Sequence, residues 1–90
     1  MKTASYNRNG PANSVLEFVN RPVPEPGSGE VLVKLKTSGV NPSDVKSRAA
    51  RAPAYDFVVP HSDGAGVIEA VGEGVDAARI GERVWIWNGQ

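Results

Sequence analysis

Ten glycines and seven prolines interrupt this ninety-residue chain so often that helical periodicity never persists beyond about two turns. Short alternating runs recur instead, so the fold is expected to be mainly β. The clearest run is Glu30 to Thr37, where Val31, Val33, Leu35 and Thr37 share one face and Lys34 and Lys36 the other. Leu32 is its exception. Gly66 to Val71 and Arg83 to Trp87 read as further strands, and Leu16 to Asn20 and Lys2 to Tyr6 as shorter ones. Five short strands suggest a small barrel.

The alternating prolines of Arg21-Pro22-Val23-Pro24-Glu25-Pro26 cannot donate ladder hydrogen bonds, and Gly27-Ser28-Gly29 after them favours a turn. A loop therefore leads into the best strand. Asn41-Pro42 supplies a helix start, with Asn as N-cap and Pro at the first helical position, and predicts one short helix from Pro42 to about Ala50. From Gly64 to Gly81 glycines alternate with Val and Ile, as tightly turned strands with close backbone approach require.

Composition narrows the class. Ten Lys plus Arg balance ten Asp plus Glu, and apolar residues make up 40%, which fits neither a disordered nor a membrane chain. A nucleic-acid partner would call for a surplus of basic residues on one face, and none exists. Apolar runs fall far short of the roughly 20 residues that span a bilayer, and Met1-Lys2-Thr3-Ala4-Ser5-Tyr6 has no signal-peptide character. A cytoplasmic location without membrane partners is the default. The absence of cysteine excludes disulfides, thiol catalysis and cysteine zinc sites within these residues.

Three motifs occur in order: Gly39-Val40-Asn41-Pro42-Ser43-Asp44, then Pro60-His61-Ser62-Asp63-Gly64-Ala65-Gly66-Val67-Ile68-Glu69-Ala70-Val71-Gly72, then Gly81-Glu82-Arg83-Val84. Together they closely resemble the N-terminal catalytic segment of the medium-chain dehydrogenases and reductases. The resemblance covers nearly the whole chain and implies a GroES-like β-barrel that forms part of a larger α/β oxidoreductase. Zinc alcohol dehydrogenases of that superfamily carry Cys where this chain has Asn41, and Gly-His-Glu where it has His61-Ser62-Asp63. Catalytic zinc generally needs three protein ligands, so no metal is expected. The pattern is more similar to the zinc-free quinone oxidoreductases, the zeta-crystallin-like branch. That branch implies hydride transfer from NADPH to a quinone or another conjugated carbonyl.

The resemblance places Asn41 beside the nicotinamide, where its amide could donate to a carbonyl oxygen or to the cofactor carboxamide. Capping the helix would equally explain the residue. Ser43 stands where alcohol dehydrogenases keep a proton-relaying hydroxyl, although a first-turn Ser needs no such role. Asp44 and Asp63 are expected to be structural acceptors of backbone N–H groups. Lys46 stands where many quinone reductases have Tyr; it is a candidate cofactor-binding cation, set against a solvated helix face shared with Arg48 and Arg51. His61 could be a general acid, but a hydrogen-bonded loop histidine is the simpler reading. Trp85 and Trp87 share one face and are expected in the core; if the chain is the front of a longer protein, that face would instead lie bare and could drive association.

Gly64-Ala65-Gly66 lacks the third glycine of a dinucleotide loop, so NADPH would be held mainly by a Rossmann domain absent from residues 1–90. These residues would then form the substrate-side half of a site, in a protein expected to be a homo-oligomer such as a dimer. Val84-Trp85-Ile86-Trp87 reads as a strand in full flow close to the last residue, which suggests the front of a longer protein. The alternative is a free-standing GroES-like module that binds a partner or self-assembles without catalysis.

Overall fold

The computed structural model describes residues 1–89. It contains strands β1 (Lys2–Ser5), β2 (Glu17–Asn20), β3 (Val31–Ser38), β4 (Gly64–Val71) and β5 (Arg83–Ile86). Helices α1 (Ala12–Val15) and α2 (Pro42–Ala50) and a 3-10 turn at Ala77–Arg79 complete the regular structure. The mainly β reading holds, each expected strand forms, and α2 matches the expected span. The strands fall into two sheets, one of β1-β2 and one of β3-β4-β5. Two compact units result, each assembled from separate stretches of chain: residues 1–22 with 40–62, and residues 23–39 with 63–89.

The first unit is built on the antiparallel β1-β2 pair, in register from Lys2 opposite Asn20 to Ser5 opposite Glu17. Tyr6 extends β1 into an isolated bridge with Val58, its N–H donating to Val58 O at 2.9 Å and Val58 N–H returning to Tyr6 O at 2.8 Å. Tyr6, Val15 and Ser5 are buried here. Helix α1 is a single turn that the punctuation of the sequence conceals. Ser14 and Val15 N–H groups donate to Pro11 O, and Arg8 Nη2 caps Ser14 O at 2.8 Å. So short a turn is stabilised by burying Val15 rather than by helix propensity.

Helix α2 begins as the sequence predicts, with Asn41 extended at φ −122° and Pro42 needing no N–H partner in the first turn. Its far end is tied to the loop after β1: Gly10 N–H donates to Arg48 O at 2.8 Å and Arg48 Nε donates to Gly10 O at 3.3 Å. Arg48 is thus half-buried and bonded, not a member of a purely solvated face. Lys46 and Arg51 are exposed as expected.

In the second unit β3 pairs antiparallel with β4, and β4 with β5. The β3-β4 register shifts between Leu32 and Val33 and again between Leu35 and Thr37. The extra residue of the first shift is Glu69 on β4 and that of the second is Lys36 on β3, so β3 keeps its alternation from Val31 to Leu35, with Val31 and Val33 half-buried and Leu35 42% exposed. Ile68, at the centre of β4, is fully buried. Trp85 and Trp87 are 76% and 81% exposed, so the expectation that they lie in the core is corrected. Trp85 lies on the exposed row of β5, whose other row, Val84 and Ile86, is half-buried, and Trp87 lies in the bend just after the strand.

Candidate functional site

The three predicted site residues lie on one short segment, the entry to α2. Asn41 is the N-cap, half-buried; Ser43 is the second helical residue and exposed; Lys46 lies one turn on and is also exposed. Ser43 and Lys46 are three apart and so share a helix face. The sequence folds this way because Asn41 and Asp44 form a capping box. Its reaching-back bond runs from Asn41 N–H to Asp44 Oδ2 at 2.8 Å, and Asp44 N–H donates to Asn41 O at 3.0 Å. Asp44 is only 8% exposed, and its Oδ1 is buried without a hydrogen-bond partner. Nine residues of helix place partial positive charge at this end, where Asp44 offsets part of it.

Asp63 belongs to the second unit and immediately precedes β4. Its carbonyl accepts from Gly39 N–H at 2.8 Å, and its carboxylate occupies the space where a Gly39 side chain would begin. The first and second motifs therefore meet at Gly39 and Asp63. His61 and Ser62 are half-buried in the irregular stretch before β4. Among the described residues no cluster of three or more His, Cys, Asp or Glu side chains gathers to grip a metal.

A second feature escaped the sequence reading. The Arg21 guanidinium carbon lies 3.4 Å from the centroid of the Phe57 ring, and Arg21 Nη2 donates to Ser5 Oγ at 3.0 Å. An open pocket of about 390 Å3 in the same unit is lined by Ser5, Tyr6, Asn7, Glu17, Arg21, Asp56 and Phe57. Arg21 Nε is buried without a partner. No local signal could have joined positions 5, 21 and 57, because the Tyr6–Val58 bridge that brings them together has no sequence signature.

The three motifs are thus carried by a mainly β chain with a bulged three-stranded sheet and a helix that begins at Pro42 with Asn41 as its cap. The comparisons with known proteins are specific. Residues 27–89 match the alcohol dehydrogenase GroES-like domain. The quinone oxidoreductase of Rattus norvegicus is 44% identical over 69 residues, covering 73% of this chain and 21% of that protein. The mycobacterial protein Rv1454c, solved in complex with NADPH, superposes with a TM-score of 0.85 at 36% identity, over 98% of this chain and 28% of its own. A thermostable alcohol dehydrogenase from Pyrobaculum aerophilum, solved with cobalt and zinc, superposes with a TM-score of 0.80 at 35% identity, over 94% of this chain and 26% of its own. The chain belongs to the alcohol dehydrogenase GroES-like domain family. It spans about a fifth of the length of the curated relatives it matches. Among the described residues no helix is long and apolar enough to cross a membrane.

Proposed function

We propose that residues 1–90 are the substrate-side part of an NADPH-dependent, zinc-free quinone oxidoreductase-like enzyme, with the cofactor bound mainly by a Rossmann domain outside these residues. The bound cofactor would supply a hydride to a quinone or another conjugated carbonyl, with solvent supplying the proton. The observation that carries this reading is the fixing of Asn41 at the N-terminus of α2 by Asp44 Oδ2, 2.8 Å from Asn41 N–H. The helix cap uses the amide oxygen of Asn41, and its Nδ2 carries two N–H donors suited to a carbonyl oxygen or a carboxamide. One side chain can thus both cap and bind.

Hydride addition leaves negative charge on the acceptor oxygen. Asn41 Nδ2 and the positive end of α2 would stabilise that charge, and the Ser43 hydroxyl would hand on a solvent proton. The Lys46 ammonium would draw in the anionic cofactor. These donors suit the nicotinamide end of NADPH; no Gly-x-Gly-x-x-Gly loop exists here to cradle its pyrophosphate. The donor set does not suit zinc, because Asn41 and Ser62 are neutral and poor ligands at the positions where zinc relatives have Cys and His. A small-molecule substrate, a homo-oligomer and a cytoplasmic location complete the proposal.

The test uses the full reading frame containing these residues, dialysed against a chelator and assayed by the loss of NADPH absorbance with a benzoquinone. Activity should survive chelation, and Asn41→Ala should lower kcat/KM by about a hundredfold. Loss of activity on chelation with recovery on adding zinc would overturn the zinc-free reading. The ninety-residue chain alone should bind NADPH no tighter than millimolar by calorimetry; micromolar binding would defeat the half-site picture.

A further inference from the structure

Asn-Gly pairs are prone to lose ammonia without an enzyme, because glycine leaves its own nitrogen uncrowded for attack on the asparagine side chain. Asn9-Gly10 is such a pair, and its contacts lie wholly within the first unit. The last carbonyls of helix α2 have no partner within the helix. Residues 9 and 10 take two of them: Gly10 N–H donates to Arg48 O at 2.8 Å, and Asn9 Nδ2 donates to Ala49 O at 3.5 Å. Arg48 Nε donates in return to Gly10 O at 3.3 Å. The fold requires glycine here, since φ is +148° and an added Cβ would sit 3.0 Å from Val15 Cγ1. A labile pair is therefore built in, and one helix end engages both of its reacting groups.

We propose that Asn9 is a latent deamidation site, closed while α2 holds Gly10 N–H and opened when the far end of that helix comes away. The attacking atom is the Gly10 nitrogen after loss of its proton, and the bond to Arg48 O holds that proton in place. On opening, Gly10 N bonds to Asn9 Cγ, the Cγ–Nδ2 bond breaks and ammonia leaves, giving a cyclic imide. Water then adds to either imide carbonyl and leaves aspartate or isoaspartate at position 9. Nothing is oxidised or reduced, and water is the sole co-reactant. The product grips α2 less well. Its carboxylate has no hydrogen to offer Ala49 O and adds negative charge where the helix dipole is already negative. Arg8 and Arg48 already hold Ser14 O and Gly10 O. Isoaspartate also lengthens the backbone between the two tie points. The step is one-way, so it records that this end of the helix has opened.

The test ages the protein from the full reading frame containing these residues at mildly alkaline pH and follows position 9 by peptide mapping. Folded protein should convert Asn9 about tenfold or more slower than protein in urea, because the helix end must first open. Ala49→Gly, which weakens the last turn of α2, should speed conversion about fivefold. Arg48→Ala, which removes the Nε bond to Gly10 O, should speed it severalfold with an unchanged far-UV spectrum. Hydrogen exchange at the Gly10 amide should rise by a matching factor in each variant, and Asn9→Asp should exchange there faster than wild type. Equal rates folded and in urea, a rate unchanged in both variants, or faster conversion without faster Gly10 exchange would each overturn the proposal. Full Gly10 protection in Asn9→Asp would overturn the one-way step.

Discussion

The Asp63 carboxylate lies where a side chain on Gly39 would have to start: an ideal Cβ at position 39 would fall within 2.8 Å of both carboxylate oxygens and the carbon between them. Gly39 is not among the glycines with positive φ, so its requirement is one of space and not of backbone conformation. The glycine of the first motif is there to admit the aspartate of the second.

Gly39→Ala should therefore cost about 1–3 kcal/mol of stability, the usual range for forcing extra volume into a closed contact. Chemical denaturation checks the loss. Asp63→Ala in the same background should recover part of it, so the two substitutions should combine less than additively in a double-mutant cycle. Strict additivity would mean that the two residues do not touch.

The entry to α2 offers a test by acceptor chemistry. Asp44→Ala removes the oxygen that receives Asn41 N–H and should destabilise the chain by about 1 kcal/mol, as a lost cap does. Asp44→Asn keeps a carbonyl oxygen for that bond and should retain most of the stability. Amide hydrogen exchange at Asn41 should accelerate in the alanine variant and much less in the asparagine one.

These two sites show why some of the molecule was legible in advance and some was not. Helix α2 follows from Asn41, Pro42 and Asp44 because capping is local chemistry within four residues. The strands follow from period-two patterning and from Gly and Pro at their ends. The Gly39–Asp63 and Arg21–Phe57 contacts join residues remote in sequence, and nothing in either local pattern marks them. Trp85 was misplaced for a related reason: alternation distinguishes the two faces of a strand but not which of them is covered. Asn41, Ser43 and Lys46 gather at one helix entry because the motif itself is contiguous.

Gly66 should be the least tolerant glycine of the sheet. A Cβ there would fall within 2.9 Å of Lys34 O, Lys34 C and Leu35 Cα, all backbone atoms of β3 that cannot rotate away. Gly66→Ala should cost roughly 3 kcal/mol or more, at or beyond the upper end for overpacking. At Gly74, φ is +85° and the space is open, so alanine meets only the left-handed backbone penalty of about 1–2 kcal/mol. Thermal melts of the two variants should rank in that order.

The Arg79–Glu82 pair yields a pH prediction. Arg79 Nη2 donates to Glu82 Oε1 at 2.9 Å and Arg79 Nε donates to Oε2 at 3.1 Å, both on the exposed surface. Hydrogen bonding from Arg79, with its charge adding to the effect, holds the Glu82 carboxyl below its ordinary value. A carboxyl depressed by folding adds stability above its unfolded value, about 4.3, and loses it as pH falls through the lower folded value. Arg79 is shifted upward by the same contact and stays charged throughout the acid range. Wild type should therefore melt slightly above Glu82→Gln at neutral pH, with the gap closing as the solution is acidified through that window. Salt should narrow the gap as well, because both side chains are solvent-exposed. A gap that widens on acidification would assign the stabilisation to something other than this ion pair.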